Sequence, residues 1–300
     1  MKNYLLLPGM QIQNANAMSS TCTIGFPAMT AWMGAVHALE RKLTGIDGME
    51  AVRFTGVAVS CHDCQLQVYR GPGDYRNSII GTANPLRKKN GNFERPPFIE
   101  EARIHLKVSL LIEVKGLRGA DQDRFLELLG KKLPATRWAG GDLLRYGELR
   151  MLAAGEGNEA EERAVLRRLM PGYVLIERRD LMTKAMQNGE EGLSALLRFL
   201  SVHHSARRDE EGRMTGWDSY REEPGWLVPI AVGFKELSPL GQVACQRDPK
   251  TPHRFAENVL TLGEFRLPCR FRHVDDILWH YEYQESSALY ICRNQEMEEK

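Results

Sequence analysis

The chain has 300 residues, of which 43% are hydrophobic and 26% charged, a composition that excludes an intrinsically disordered protein and allows one large domain or two. Its 40 Lys and Arg residues nearly balance its 39 Asp and Glu residues, which excludes a protein that coats nucleic acid through net charge alone. A local basic site is compatible with this balance, because residues 71–118 contain nine cations and five anions.

The N-terminal sequence and the cysteines indicate the compartment. Pro8 follows only four apolar residues, too few for a signal-peptide core or a membrane helix, and no longer apolar span follows. We therefore predict a cytoplasmic protein without a membrane segment. The six cysteines are scattered along the chain without a secretion signal, which favours reduced thiols over a disulfide framework.

The first elements are predicted by hydrophobic spacing. Residues 4–7 indicate a short buried strand, followed by a polar run over residues 11–20. A helix is predicted after Gly25-Phe26-Pro27, with Pro27 in its first turn, an end near Leu43 and Gly45 at its exit. Its apolar face consists of Met29, Trp32, Met33, Val36, Leu39 and Leu43.

The clearest strand pattern lies at residues 104–114, where apolar residues alternate with polar ones such as His105 and Lys107. Residues 52–69 are predicted to be extended, and Asp121 to cap a helix that carries Phe125 and Leu129. Up to about Met151 the order fits an α+β fold, a split βαβ or ferredoxin-like sheet with helices on one face. The other face is expected to be open for a ligand.

The composition changes near residues 155–158, and a charged helical region is predicted as far as about residue 223. Its helices are expected at residues 159–170 and 190–203. Pro224-Gly225 marks a boundary before a strand at residues 226–234. A further helix is predicted near residues 274–283, and a strand near residues 288–292.

Motifs of common enzymes are missing. The sequence contains no phosphate-binding P-loop, no complete G-x-G-x-x-G, no H-E-x-x-H and no G-x-S-x-G. Cys61-His62-Asp63-Cys64 is a single C-x-x-C without a second pair at zinc-ribbon spacing, so reduced strand cysteines are favoured over a metal site. His37 is compatible with a general base, although a packed helix histidine is favoured.

Two basic segments suggest RNA. Arg87-Lys88-Lys89 directly precede Asn90-Gly91, the preferred pair of a type I′ turn, which predicts a projecting hairpin with a basic tip. A solvated loop is an equally good interpretation. In the second segment Arg137 and Trp138 precede Gly140 and Gly141, a combination suited to phosphate approach and base stacking.

Each of the remaining RNA signals has a structural alternative. Trp138 is compatible with a core position in a helix-to-strand turn, and this is slightly favoured from the residues alone. The amides and hydroxyls of residues 13–20 can contact bases and 2′-hydroxyls, but they are also ordinary loop residues. The aromatic RNA-binding signature of RRM domains is missing.

Segments along nearly the whole chain match one family in order and spacing. They are Leu5-Leu6-Leu7-Pro8, Gln13-Asn14-Ala15-Asn16-Ala17-Met18-Ser19-Ser20, Gly25-Phe26-Pro27, Val36-His37-Ala38-Leu39, Glu100-Glu101-Ala102-Arg103, His105-Leu106, Val108-Ser109-Leu110-Leu111, Ala139-Gly140-Gly141, Leu169-Met170-Pro171-Gly172, Pro224-Gly225-Trp226-Leu227-Val228-Pro229-Ile230, Leu237-Ser238-Pro239-Leu240 and Phe255-Ala256-Glu257-Asn258. Through them the chain resembles the second subunit of type I-F (Csy) CRISPR surveillance complexes, in the Cas-five branch of the repeat-associated RNA-binding (RAMP) superfamily.

The resemblance implies a fold and a function. The fold is an RRM-like palm with a projecting β-hairpin thumb and a helical insertion lobe. The function is that of a Cascade-like complex subunit without catalytic residues, which binds the 5′ handle of CRISPR RNA. It pairs with the large subunit, caps the backbone subunits, and reaches target DNA through the assembled complex. A related branch cleaves precursor RNA, so a metal-independent endoribonuclease is the alternative.

Carried onto this sequence, the resemblance gives domain bounds, and we infer RNA contacts from residue chemistry and position in the matching segments. The palm covers residues 1–154 with the thumb at about 71–103, the lobe covers 155–224, and residues 225–300 return to the palm. No cofactor and no metal are expected. The proposed RNA contacts are Gln13, Asn14, Asn16, Ser19, Ser20, Arg87, Lys88, Lys89, Arg103, Arg137, Trp138, Gly140 and Gly141.

Overall fold

The computed structural model describes residues 1–81, 85–95, 100–246 and 248–294, which form an α+β protein around one large antiparallel sheet. The helices are α1 (Met29–Thr44), α2 (Gln122–Lys132), α3 (Glu159–Arg167), α4 (Arg179–Gln187) and α5 (Gly192–Leu200). Short 3₁₀ helices lie at Gly119–Asp121, Pro268–Arg270, Asp275–Ile277 and Glu285–Ser287. Among these described helices, none combines the length and the apolar character that crossing a bilayer demands.

Sixteen strands are present in the described ranges. They are β1 (Lys2–Asn16), β2 (Arg53–Leu66), β3 (Val68–Tyr69), β4 (Ser78–Ile79), β5 (Arg87–Lys89), β6 (Asn92–Glu94), β7 (Arg103–Lys115), β8 (Asp142–Arg145), β9 (Arg150–Ala154), β10 (Tyr173–Glu177), β11 (His203–Arg208), β12 (Met214–Tyr220), β13 (Trp226–Glu236), β14 (Ala256–Arg266), β15 (Trp279–Gln284) and β16 (Leu289–Asn294).

The large sheet has the strand order β10-β14-β13-β16-β15-β2-β7-β1-β8, and β9 also pairs with β1. Because β10 pairs with β2 as well as with β14, six of these strands form a closed circuit of pairings. The strands of the C-terminal part therefore join the sheet that the N-terminal part begins. All pairings in this sheet are antiparallel.

Strand β1 is longer than the sequence pattern predicts, since it continues through the polar run to Asn16. Two irregularities in its pairing with β7 explain the difference, one between Leu7 and Met10 and one between Ile12 and Ala15. Each bulge shifts the inward and outward alternation by a residue, so the apolar period of two is hidden. Residues 11–16 are therefore strand, and only the part after Asn16 is loop.

Helices α1 and α2 cover one face of the sheet, as predicted. The apolar residues of α1 pack with alternate residues of β1, β2 and β7 in the main core, and Trp32 and Phe125 are fully buried there. Helix α1 begins at Met29 with Ala28 as N-cap, and Gly45 follows its end. Asp121 is the N-cap of α2, although its side chain makes no capping hydrogen bond.

The sequence predicted that the opposite face of the sheet is open. In the structure, part of that face is covered. Tyr4, Leu6 and Leu111 face a second core formed with Val165, Leu166 and Leu169 of α3 and the loop after it, and with residues 271–278. Toward the other end of β1 and β7 the described residues leave a polar cleft on this face. This restricts the ligand surface to the region around Gln13 and His105.

Residues between β2 and β7 project in small hairpins. Strand β3 pairs with β4, and β5 pairs with β6 around the Asn90-Gly91 turn. Both turn residues have positive φ, 51° and 83°, which is the backbone of the predicted type I′ turn. The flanking residues 82–84 and 96–99, which include Pro96-Pro97, lie outside the described residues.

Two expectations for the second half are corrected. Residues 155–224 are not wholly helical, since they contain β10, which pairs into the main sheet, and the β11–β12 hairpin. Residues 274–283 do not form a helix: a 3₁₀ turn at Asp275–Ile277 is followed by strand β15. The strand predicted near residues 288–292 is confirmed as β16.

Candidate nucleic-acid interface

Three separate segments meet where β1 ends. They are residues 13–16 of β1, the start of β7 at Arg103 and His105, and the loop of residues 137–141, and we call this site the β1 corner. Arg103 is opposite Asn16 in the sheet, and Asn16 N–H donates to the carbonyl of Ala139 at 2.9 Å. The structure therefore brings two of the three predicted RNA-binding segments together, along with Arg103.

Asn14 lies at the centre of the corner because of its backbone. Its φ is 55°, a left-handed conformation that asparagine tolerates better than most residues, and it forms the second bulge of β1. The Gln67 amide donates to Asn14 Oδ1 at 2.6 Å, and the Asn14 N–H donates to His105 Nδ1 at 3.3 Å. These bonds hold the exposed Asn14 and its amide in a fixed orientation at the surface.

Arg103 supplies the positive charge of the corner. Its guanidinium donates to Glu101 at 2.9 Å and to the carbonyl of Asn14 at 3.5 Å. The guanidinium is thus oriented by protein contacts and remains about a quarter exposed. This arrangement is suited to a phosphate, because a planar donor group presents several N–H bonds at once.

The loop of residues 137–141 is a tight turn built on two glycines. Trp138 and Gly141 exchange backbone hydrogen bonds at 2.8 and 3.0 Å. A Cβ on Gly141 would lie 2.6 Å from the carbonyl oxygen of Gln13, so this glycine permits close contact with β1. Gly141 therefore serves the packing of the loop on β1, whereas the exposed Gly140, with φ of 80°, faces solvent.

Arg137 is the exposed cation of this loop. It donates to the carbonyl of Gly140 at 2.9 Å and lies 3.7 Å from Asp142, with about 70% of each side chain exposed. Exposed ion pairs of this kind contribute little to stability, so Arg137 can exchange Asp142 for a phosphate at small cost.

The prediction that Trp138 stacks on a base is wrong for this conformation. Trp138 is fully buried, and its indole N–H points toward the carbonyl of Leu133 at 3.4 Å. The core alternative is therefore confirmed: the ring anchors the loop from below, and the backbone and Arg137 form the surface.

Ser20 is also corrected. It is buried, and its hydroxyl is hydrogen-bonded to that of Thr23 at 2.6 Å, while Ser19 contacts the same Thr23 hydroxyl at 2.9 Å. These hydroxyls close the loop after β1. The Ser20 hydroxyl also accepts from the Cys22 N–H at 3.2 Å, whereas Ser19 is only partly buried and its RNA contact stays a prediction. In contrast, Gln13 and Asn14 are exposed.

A polar cleft of about 320 Å³ extends from the corner across the open face of the sheet. Its lining residues come from four neighbouring strands: Gln11, Ile12, Gln13, Asp63, Gln65, His105, Leu106, Lys107 and Leu144. Of these, sequence reasoning had selected only Gln13 as an RNA contact. Alternation along β7 had already placed His105 and Lys107 on the polar face, but their neighbours in β1 and β2 depend on register.

The register explains the charge distribution in the cleft. Lys107 is opposite Gln11 on one side and Asp63 on the other, and Gln11 also accepts a hydrogen bond from Arg145 at 2.6 Å. Cations and amides thus alternate across the sheet, with one acidic group at the far edge. Burial, and secondarily the charge of Lys107, lower the pKa of His62 beside this surface, so His62 is neutral near pH 7.

The basic tip of the β5–β6 hairpin is a separate surface. Arg87, Lys88 and Lys89 are exposed, and Arg87 and Lys89 each lie 3.9 Å from Glu94. Phe93, opposite Lys88, is 70% exposed. The tip therefore presents three cations and one aromatic ring on strands whose residues are all exposed.

The candidate catalytic and metal residues are placed as follows. His37 is exposed on α1, so the interpretation of a packed histidine is wrong for it. Cys61 and Cys64 are free thiols on β2. Within the described ranges, no group of three or more His, Cys, Asp and Glu side chains is arranged to hold a metal ion.

Comparison with known proteins gives one family. Residues 5–292 match the family described as CRISPR-associated protein (Cas_Csy2). The chain is also similar to the CRISPR-associated protein Csy2 of Pseudomonas aeruginosa (strain UCBPP-PA14), with 34% identity over 314 residues, covering 95% of this chain and 93% of that protein.

Proposed function

The chain belongs to the Csy2 family, whose members are subunits of the type I-F Csy complex in CRISPR defence, and from this premise we propose that it binds the 5′ handle of CRISPR RNA at the β1 corner. The observation that carries the proposal is the convergence of Asn14, Arg103 and the loop of residues 137–141 at one exposed site. Residue chemistry and the family resemblance select residues of all three as RNA contacts.

The chemistry of the corner suits single-stranded RNA. Arg103 and Arg137 can contact phosphates, which position the strand, while the exposed amides of Gln13 and Asn14 can contact base edges and 2′-hydroxyls. The adjoining cleft adds Lys107 and His105, so that the strand can continue across the open sheet. A backbone fixed by bulges and glycine turns reduces the entropy cost of recognition.

We also propose that residues 1–154 form an RRM-like, ferredoxin-like palm. In support, the main elements have the chain order β-α-β-β-α-β, formed by β1, α1, β2, β7, α2 and β8, with the small hairpins β3–β6 inserted between β2 and β7. Their strands lie in the sheet order β2-β7-β1-β8. The β3–β6 hairpins are the proposed thumb, within residues 71–103. Residues 155–224 are the proposed lobe, and residues 225–300 return to the palm.

The proposed partners are the large subunit and the backbone subunits, with target DNA reached through the assembled complex in the cytoplasm. Exposed apolar residues support protein contacts away from the corner, since Trp217 and Tyr220 on the β11–β12 hairpin are 60% and 56% exposed. Leu237, Leu240 and Phe255 form a further exposed set. We propose that the protein has no catalytic activity of its own.

Handle binding is tested with the assembled complex and a fluorescent RNA that carries the 5′ handle. Arg137→Ala is expected to weaken binding about tenfold, the equivalent of one charge-assisted hydrogen bond. Arg163→Ala is the matched control, because Arg163 is also exposed and paired with one carboxylate, Glu159 at 3.1 Å. It should leave binding unchanged.

The outcomes separate the alternatives. Equal affinities of the wild type, Arg137→Ala and a Gln13→Ala variant would remove the corner from the RNA-binding surface. Cleavage of precursor repeat RNA by the purified chain, abolished by His37→Ala, would overturn the non-catalytic proposal in favour of the endoribonuclease.

A further inference from the structure

Two cysteines of β2 lie on one face of the sheet because of a bulge. In the pairing of β2 with β7, Cys61 is opposite Val108 and Cys64 is opposite Leu106, and the register shifts between Cys61 and Asp63. The extra residue, His62, makes three steps along β2 correspond to two steps along β7. The two cysteines therefore resemble a residue pair two positions apart on a regular strand.

This compression brings the thiols within reach of a disulfide. Residues two apart on a strand are separated by about 6.7 Å, which is within the upper part of the Cα–Cα range of disulfides. Without the bulge the side chains of Cys61 and Cys64 would point to opposite faces. The Cys61 thiol donates to the carbonyl of Asp63 at 3.6 Å and also interacts with the Cys64 thiol.

The two thiols differ in the way that an attacking and a resolving cysteine differ. Cys64 is exposed and Cys61 is buried. A hydrogen bond from Cys61 lowers the pKa of Cys64 to about 7, while the same bond and then burial raise the pKa of Cys61. Thiolate is the reactive form, so Cys64 is the group that meets an oxidant.

We propose that Cys61 and Cys64 form a reversible dithiol–disulfide pair that is oxidised by low-molecular-weight disulfides. The Cys64 thiolate attacks one sulfur of the oxidant, the oxidant's sulfur–sulfur bond breaks, and one small thiolate leaves and takes a proton from water. Cys61 then loses its proton to water and attacks Cys64 Sγ. The mixed disulfide breaks, and the second small thiolate leaves and takes a proton from water.

Overall, two protein thiols are oxidised to one disulfide, and one small disulfide is reduced to two thiols. Capping of Cys64 removes its hydrogen bond with Cys61, the largest cause that raises the Cys61 pKa, and its negative charge, a smaller cause, while burial still raises that pKa. The resolving thiol is thereby activated by the first half of the reaction.

The near-limiting Cα separation predicts that the disulfide is strained and readily reduced, as labile disulfides are. The bulge also contains Asp63, which lines the polar cleft opposite Lys107. Closing the disulfide across the bulge therefore fixes the backbone that carries Asp63.

The test uses the full chain with Cys22, Cys245 and Cys269, the other exposed cysteines, replaced by serine. This protein is incubated with glutathione disulfide, quenched in acid and analysed by intact and peptide mass spectrometry. The wild-type pair is expected to lose two hydrogens and carry no glutathione, and dithiothreitol should restore the original mass. Cys61→Ser is expected to trap one glutathione on Cys64, and Cys64→Ser to remain unmodified.

A second variant and a second measurement distinguish a change in thiol chemistry from misfolding of the Cys61→Ser variant. Cys61→Ala adds no polar group to the core, and it should trap the same adduct. It should also slow alkylation of Cys64 by iodoacetamide at pH 7 about tenfold, because the thiolate fraction falls. A stable glutathione adduct on the wild-type pair, or no reaction at Cys64, would overturn the proposal.

Discussion

The β1 corner and the β5–β6 tip both expose cations, but they hold them in different ways. In the corner the charged and amide groups are fixed by the bulge at Asn14, the buried Trp138 and the close contact at Gly141. In the tip Arg87, Lys88 and Lys89 extend from a two-stranded hairpin whose residues are all exposed. The corner can therefore discriminate between ligands by geometry, whereas the tip attracts anions by charge.

This difference separates affinity from specificity. Exposed cations on a hairpin contribute a salt-dependent attraction to any phosphate chain. Oriented amides recognise base edges and 2′-hydroxyls, an interaction that salt affects little. We therefore expect changes in the corner to alter stability or recognition, and changes in the tip to alter the dependence of binding on salt. Substitutions at Trp138, Gly141, the tip and Asn14 distinguish these two behaviours, in decreasing order of expected effect.

Trp138→Ala should have the largest effect, because it removes a fully buried ring under the loop. We expect a loss of about 4 kcal/mol in the free energy of unfolding, measured by urea denaturation. Trp138→Phe is the control and should lose less. If Trp138→Ala unfolds like the wild type while handle binding is lost, the ring contacts RNA and its assignment to the core fails.

Gly141→Ala should rank second. Its Cβ would lie 2.6 Å from the Gln13 carbonyl oxygen and 2.7 Å from the Ala15 nitrogen, so the loop must move away from β1. The expected loss is about 3 kcal/mol by urea denaturation. Gly140→Ala is the matched control: it meets only ordinary contacts and should lose about 1 kcal/mol from its positive φ. Equal losses in both variants would contradict the close contact.

Replacing Arg87, Lys88 and Lys89 together by alanine tests the tip. If all three contact phosphates, the slope of log affinity against log salt falls by about 2, and handle binding weakens about 50-fold at 0.15 M salt. The matched control replaces Arg207, Arg208 and Arg213 on the exposed β11–β12 hairpin. An unchanged slope together with failed assembly would assign the tip to a neighbouring subunit instead.

Asn14→Gly should have the smallest effect and is the sharpest test of the corner. Glycine keeps the positive φ, so the free energy of unfolding should change by less than about 1 kcal/mol. The amide is lost, and handle affinity should fall about fivefold to tenfold at every salt concentration. An affinity loss that disappears at high salt would show that Asn14 acts only through the charges near it.

The spacing of hydrophobic residues predicted those helices and strands in which this spacing is regular. The alternation at residues 104–114 and the apolar stripe of α1 each gave the correct element and the correct buried face. The polar run of residues 11–16 was misassigned because one bulge, between Ile12 and Ala15, interrupts its alternation and another, between Leu7 and Met10, precedes it. The helix predicted at 274–283 is instead a 3₁₀ turn and a strand, since its apolar residues pack in two different cores.

The candidate site was predictable only in part. Asn14, Arg103 and Arg137 could be selected by residue type and resemblance, but their convergence depends on how β1, β7 and the loop pair. Trp138 could not be assigned, because the same dipeptide suits a core turn and a stacking platform. The cleft was missed because Gln11, Asp63 and Lys107 become neighbours only through the register of three strands.

Photo-crosslinking of CRISPR RNA to this subunit, in the complex purified with its other subunits, tests whether the 5′ handle binds at the β1 corner. Mass spectrometry of the adducts identifies the peptides that touch the 5′ handle. We expect adducts in residues 11–16, 103–107 and 137–145. These adducts should disappear in the double variant Asn14→Gly, Arg137→Ala. Handle adducts confined to other parts of the chain would contradict this expectation.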